Sequence, residues 1–145
     1  MNNLAYFLLY WVWQFPQMAL GAVLAKVLGA SKRGIITKDG RKIIYRYFER
    51  NNRFSKIISG VSLAAFILLP DGNDDDETVL HEHGHSIQSL YLGWLYLPVI
   101  GLPSLFNNLR GRVVYKDWTR VQIELDYYSR YPEKEADKLG GVQRG

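Results

Sequence analysis

The chain has 145 residues, enough for one compact domain or for a smaller domain with membrane segments. It has no cysteine, which excludes a disulfide framework and a thiolate metal site, so any bound metal must be held by histidines and carboxylates. The net charge of +4 is unevenly spread: residues 4–25 carry none, and residues 26–56 hold ten Lys/Arg against Asp39 and Glu49.

Clustered cations can mark a phosphate-binding surface. No nucleic-acid-reading motif accompanies these, and their place beside an apolar run suits a membrane surface, so no nucleic-acid partner is expected. Residues 4–30 read as a transmembrane or membrane-embedded helix, because about 20 apolar residues span a bilayer core. Tyr6, Tyr10, Trp11 and Trp13 suit the interface, and the Lys/Arg excess that follows puts residues 30–60 on the cytoplasmic side. Gln14, Pro16 and Gln17 interrupt the run and predict a kink. The plain alternative is a buried helix of a soluble domain. A cleaved signal peptide fits less well, since no basic residues precede the run and it is too long.

Residues 31–145 are expected to form one minimal domain. Residues 35–47 read as a hairpin turning at Asp39-Gly40, a dipeptide suited to positive φ angles. Val61–Leu69 reads as a buried strand, with a second membrane-contacting element as the alternative, and is ended by Pro70-Asp71-Gly72-Asn73. Asp74 and Glu77 have capping-box spacing and open a helix from about Asp75 to Leu92, with Gly93 as its stop. Residues 90–106 are apolar but punctuated by Gly93, Pro98, Gly101 and Pro103, which predicts a re-entrant or interfacial segment. Arg110–Leu125 reads as a loop with a short strand. Pro132 opens a last helix through Leu139, stopped by Gly140-Gly141. The fold class is therefore α+β: an N-terminal membrane helix, a small sheet, a central helix, an apolar connection and a closing helix.

All three histidines fall in His81-Glu82-His83-Gly84-His85. His81 and His85 are four apart and share one helical face, so both reach one ion. Glu82 stands beside them as a general base for a metal-activated water, the mechanism attached to the H-E-x-x-H pattern with zinc. His83 points away. The plain alternative is a solvated helix that happens to contain histidines. A zinc hydrolase needs a third protein ligand, and with no other His or Cys it must be a carboxylate. Glu133 and Asp137 share a helical face; one can bind metal while the other accepts the outer N–H of a ligating histidine. Glu135 faces elsewhere and is expected to be solvated. A calcium loop from Asp71, Asn73, Asp75 and Glu82 fails because Asp76 stands where the sharp turn needs glycine.

H-E-x-G-H on one helix with E-x-x-A-D on a later one resembles the gluzincin arrangement of membrane endopeptidases, as in HtpX-like heat-shock proteases and CAAX prenyl proteases. The resemblance implies His81, His85 and Glu133 as zinc ligands, Glu82 as general base and Asp137 as the partner of a ligand. It covers two short stretches of a chain much smaller than those families. It further implies a substrate held by β-addition along Val61–Leu69, and oxyanion stabilisation by one of Tyr127, Tyr128, Arg130 or Tyr131. The C-terminal A-D-K-L-G-G-V is similar to that of small bacterial membrane proteins, which implies the bacterial inner membrane; the Lys/Arg excess at residues 26–56 puts the site on its cytoplasmic side. The expected function is a zinc-dependent membrane metalloendopeptidase, acting on peptides or membrane proteins and in contact with the lipid bilayer. The alternative is a non-catalytic, membrane-anchored metal-binding or adaptor protein. Oligomeric state is not legible.

Overall fold

Asp39 and Gly40 both take positive φ, 50° and 74°, as a tight two-residue hairpin turn requires. They join β1 (Lys32–Lys38) to β2 (Arg41–Phe48) in an antiparallel register that sets Ile36 opposite Ile43. The computed structural model describes residues 2–51 and 53–144; Gly145, the last residue assigned to the domain, lies outside them.

The run Val61–Leu69 is two strands, not one. Ala64 adopts φ 56° and reverses the chain, so β3 (Val61–Leu63) pairs antiparallel with β4 (Phe66–Pro70). No Gly, Asn or Asp marks that turn, which hid it from the sequence. The sheet order is β1-β2-β4-β3, with β2 and β4 parallel, so β3 is an edge strand. The alternation of side chains along a strand then makes two cores. Ile43, Tyr45, Ile67 and Leu69 face Val79 and Leu80 of α3 (Asp76–Leu92). Phe48 and Leu68 face Ala25 and Leu28 of α2 (Phe15–Val27). The sheet is thus held between α2 and α3.

The N-terminal apolar run is broken where the kink was expected. α1 (Asn3–Phe7) continues as a π-helical turn, Leu8–Val12, and meets α2 at 86°. The kinked helix expected over residues 4–30 is thus two helical limbs set nearly at a right angle. No single helix among the described residues is long and apolar enough to cross a membrane; the two limbs meet that test only as a bent pair. The break is occupied by polar contacts to the end of α3. Ser89 donates to Gln14 Oε1 (2.7 Å), and Gln17 Nε2 donates to Ser89 Oγ (3.0 Å) and the Gly93 carbonyl (2.7 Å). Trp13 donates to the Leu90 carbonyl (2.8 Å) and Trp94 to the Val12 carbonyl (2.7 Å).

Beyond Gly93, where α3 ends, the chain makes a 3-10 turn (Gly93–Leu95), a π-helical turn (Leu97–Gly101) and α4 (Leu102–Val114). The loop and strand expected over Arg110–Leu125 are helical instead: α4 runs on, and α5 (Arg120–Tyr127) is opened by a Thr119–Gln122 capping box. α6 (Glu133–Gly140) follows Pro132 and ends at Gly141 in the left-handed conformation. The class is α+β, with a mixed four-stranded sheet and six α-helices among the described residues.

Candidate metal centre

α3 begins one residue later than Asp74 would set it. Asp75 is the cap, accepting from the Thr78 amide (3.0 Å) and hydroxyl (2.8 Å), while Asp74 accepts from the Tyr45 hydroxyl (3.2 Å). The acidic run therefore caps a helix and tethers a strand. Two turns in, the helix presents His81, Glu82 and His85, each 5% exposed.

α6 crosses α3 closely enough to reach them because both surfaces lack a side chain at the crossing. A Cβ on Gly84 would strike the Ala136 carbonyl, and one on Gly140 would strike the Leu80 carbonyl. This contact brings the fully buried Glu133 over the histidines. Its Oε2 lies 3.1 Å from His81 Nε2 and 3.1 Å from His85 Nε2. Among the described residues these three are the group of ligating side chains that can hold a metal ion.

Hydrogen bonds on the far side of each ring fix what the near side offers. His81 Nδ1 lies 2.7 Å from Asp137 Oδ1, an acceptor, so Nδ1 carries the proton. His85 Nδ1 lies 2.7 Å from Gln88 Oε1, again an acceptor, because Gln88 Nε2 is turned to the Pro132 carbonyl (3.3 Å) and Glu135 Oε2 (2.9 Å). Both Nε2 lone pairs then point at a carboxylate oxygen. Three lone pairs facing one point repel one another unless a cation, metal or proton, lies between them. Ligands of a tetrahedral zinc at ~2.0–2.1 Å stand about 3.3 Å apart, close to the 3.1 Å separations here. Glu133 Oε1, buried and without a partner, is one more donor atom awaiting an acceptor of its charge. The residues present fit a divalent metal.

The electrostatics agree. Burial would lower the His81 pKa, but hydrogen bonds to Asp137 and Glu133 outweigh it and raise it to about 9. Burial would raise Glu133, and its contacts with His81 and His85 hold it well below the carboxylate range instead. Arg144 clamps Asp137, with Nε 2.6 Å from Oδ2 and Nη2 3.0 Å from Oδ1, and lies 3.2 Å over the Tyr128 ring. Tyr128 in turn packs edge-on against His81, with ring centroids 5.1 Å apart.

Glu82 is different. It makes no hydrogen bond among the described residues, and it lines a cavity of about 520 Å³ together with His81, His85 and Glu133. Burial raises its pKa, which the two histidines partly offset. Gly60 gives its carboxylate room: a Cβ there would come within 2.6 Å of Oε1. The far wall runs from Leu97 to Leu105, with Tyr127 and Tyr128. β3 also borders the cavity, but its Ser62 carbonyl already accepts the Tyr96 hydroxyl (2.8 Å), which narrows the edge expected to hold a substrate backbone.

Of the four oxyanion candidates, Arg130 is bound to Asp126 (2.9 Å) and Tyr131 to the Val99 carbonyl (3.0 Å), which leaves Tyr127 and Tyr128 in the cavity wall. Burial raises both hydroxyls, Tyr128 to about 12, so each is a proton donor at neutral pH. His83 stays outside the group, half-buried. Glu135, expected to be only solvated, also accepts from Gln88. Gln88 was missed in the sequence, although its place three residues after His85 on the same face was a signal for it. Arg144 had no such signal, since nothing in sequence places a tail residue beside α6. Compared with protein-family models, with curated proteins and with solved structures, the chain matches none of them.

Proposed function

We propose that this chain is a zinc-dependent, membrane-associated metalloendopeptidase. The observation that carries the reading is Glu82: a buried carboxylate without a partner, facing the cavity onto which His81, His85 and Glu133 converge. A structural ion-pair cluster has no use for such a group, whose burial is unfavourable unless it is employed. Zinc held by His81, His85 and Glu133 would polarise the scissile carbonyl and lower the pKa of a water. Glu82 takes the proton of the attacking water and passes it to the leaving amine. Tyr127 or Tyr128 donates a hydrogen bond to the carbonyl oxygen as negative charge develops there. Asp137 and Gln88 hold the two imidazoles in the required tautomer.

Membrane association rests on the surface. Leu4, Phe7, Trp11, Val12 and Phe15 are exposed on the bent pair, and Trp94, Leu95, Leu102, Phe106 and Val113 on the segment packed beside it. A contiguous apolar face of this kind belongs against lipid.

The test is Glu82→Gln beside the unaltered chain. Zinc content and thermal stability should stay nearly unchanged, while cleavage of an unfolded protein in detergent should fall ~10²–10⁴-fold. Full activity in the variant would defeat the mechanism. Zinc binding with no cleavage by the unaltered chain would make it a metal-binding protein, and no zinc binding a proton-bridged ion-pair cluster.

A further inference from the structure

Two recesses adjoin along Tyr127 and Tyr128, and Tyr128 packs against the His81 ring. The 520 Å³ cavity has its mouth at Leu20, Leu102 and Leu105, which line it yet remain 42%, 62% and 46% exposed. These belong to the apolar face formed by α2 and α4. Ile58, Ser59, Asn108, Tyr127 and Tyr128 also line a second recess of about 560 Å³. That second recess is cationic. Arg50, Lys56 and Arg112 line it, and none pairs with a carboxylate among the described residues. Arg112 Nη2 donates to the Lys56 carbonyl (2.8 Å), which holds the guanidinium at the rim. The one acid in the lining, Glu124, is bound to Arg120 (3.0 Å).

On the peptidase reading above, we infer that the groove selects a substrate of mixed character: an apolar stretch joined directly to an acidic one, with the cut near the junction. The apolar part lies between α2 and α4, where the lining is leucine. The acidic part passes Tyr127 and Tyr128 into the recess of unpaired cations, where complementary charge fixes the direction of the chain. A membrane-anchored protein cut where its acidic flank leaves the bilayer has this composition.

The experiment uses the full chain carrying Glu82→Gln, in detergent, so that binding is read without turnover. Three labelled peptides share one apolar half and carry an acidic, a neutral or a basic second half; anisotropy gives their affinities. The acidic peptide should bind roughly 5–10-fold more tightly than the neutral one at low salt, and the gap should close in salt. Arg50→Glu with Arg112→Glu should invert the order, and the milder Arg50→Gln with Arg112→Gln should abolish it; both positions are exposed, so the fold tolerates them. Leu102→Asp should weaken all three peptides. Acid-selective binding without cleavage by the unaltered chain would sink the peptidase reading and leave this one standing. Cleavage without preference for the acidic peptide would do the reverse. Equal binding of the three, or no binding of any, overturns the inference. So does an Arg50/Arg112 variant that loses affinity for anionic vesicles while its peptide preference is unchanged, since the cations would then face lipid headgroups.

Discussion

His81 and His85 offer the same ring atom to Glu133 but are braced differently, one by an anion under an arginine clamp and the other by a neutral amide. Loss of either brace is expected to weaken zinc binding ~10–100-fold, and Asp137→Asn should cost more than Gln88→Ala because it also removes a charge. Competition against a chromophoric chelator measures both; equal affinity in all three proteins would refute the assigned tautomers. The raised pKa of His81, about 9, has its own signature. At neutral pH the protein holds a proton there that a metal taken up by Nε2, zinc on the reading proposed, would have to displace. Calorimetry near pH 7.5 in buffers of differing ionisation enthalpy should report about one proton released per ion, declining as pH rises through 9. The sign for folding follows: this proton stabilises the metal-free fold fully below the ordinary histidine range, ~6.5, and the contribution vanishes as pH climbs through about 9. A heat signal independent of buffer would contradict the assignment. These residues were legible because helical spacing alone puts His81, Glu82 and His85 on adjoining positions. Choosing Glu133 over Asp137 needed the resemblance, since both share a face.

Elements were readable where one residue announces a backbone conformation and unreadable where tertiary packing decides it. Asp39-Gly40 declared the first hairpin; Ala64 turns the second with no residue of that kind. Arg110–Leu125 lacks a strong helical stripe, and its helices are held by side-chain contacts: Asp126 accepts from Tyr115 (2.7 Å), Arg130 (2.9 Å) and Arg110 (3.3 Å), tying α4 to α5. The α3–α6 crossing was half visible, as the glycine of the H-E-x-G-H pattern. Gly84→Ala should push α6 away, because the obstacle is the Ala136 carbonyl and backbone cannot swing aside. Overpacking of this sort costs about 1–3 kcal/mol. Zinc affinity should drop more than stability does, since Glu133 rides on the displaced helix. Unchanged affinity in equilibrium dialysis would show that the crossing does not position the ligand.

At the level of the whole molecule, the bent N-terminal pair and the Trp94–Val113 segment both expose large apolar side chains and touch at Phe15 and Trp94, and the sequence displayed that composition but not its arrangement. Gln14 and Gln17 read as interruptions of a spanning helix; they are the contacts that seat the pair on α3. The full chain should float with phospholipid vesicles, and Trp11→Asp with Phe106→Asp should weaken partitioning by roughly 10-fold or more. Flotation indifferent to both substitutions would move the membrane contact elsewhere. The order of the elements also sets a timetable. Glu133 follows His81 by 52 residues, an interval of roughly 3–10 s at ordinary rates of translation. During that interval the nascent chain carries two of the three side chains that converge in the folded site. A metal held by all three side chains could be bound only once α6 has been made and laid across α3.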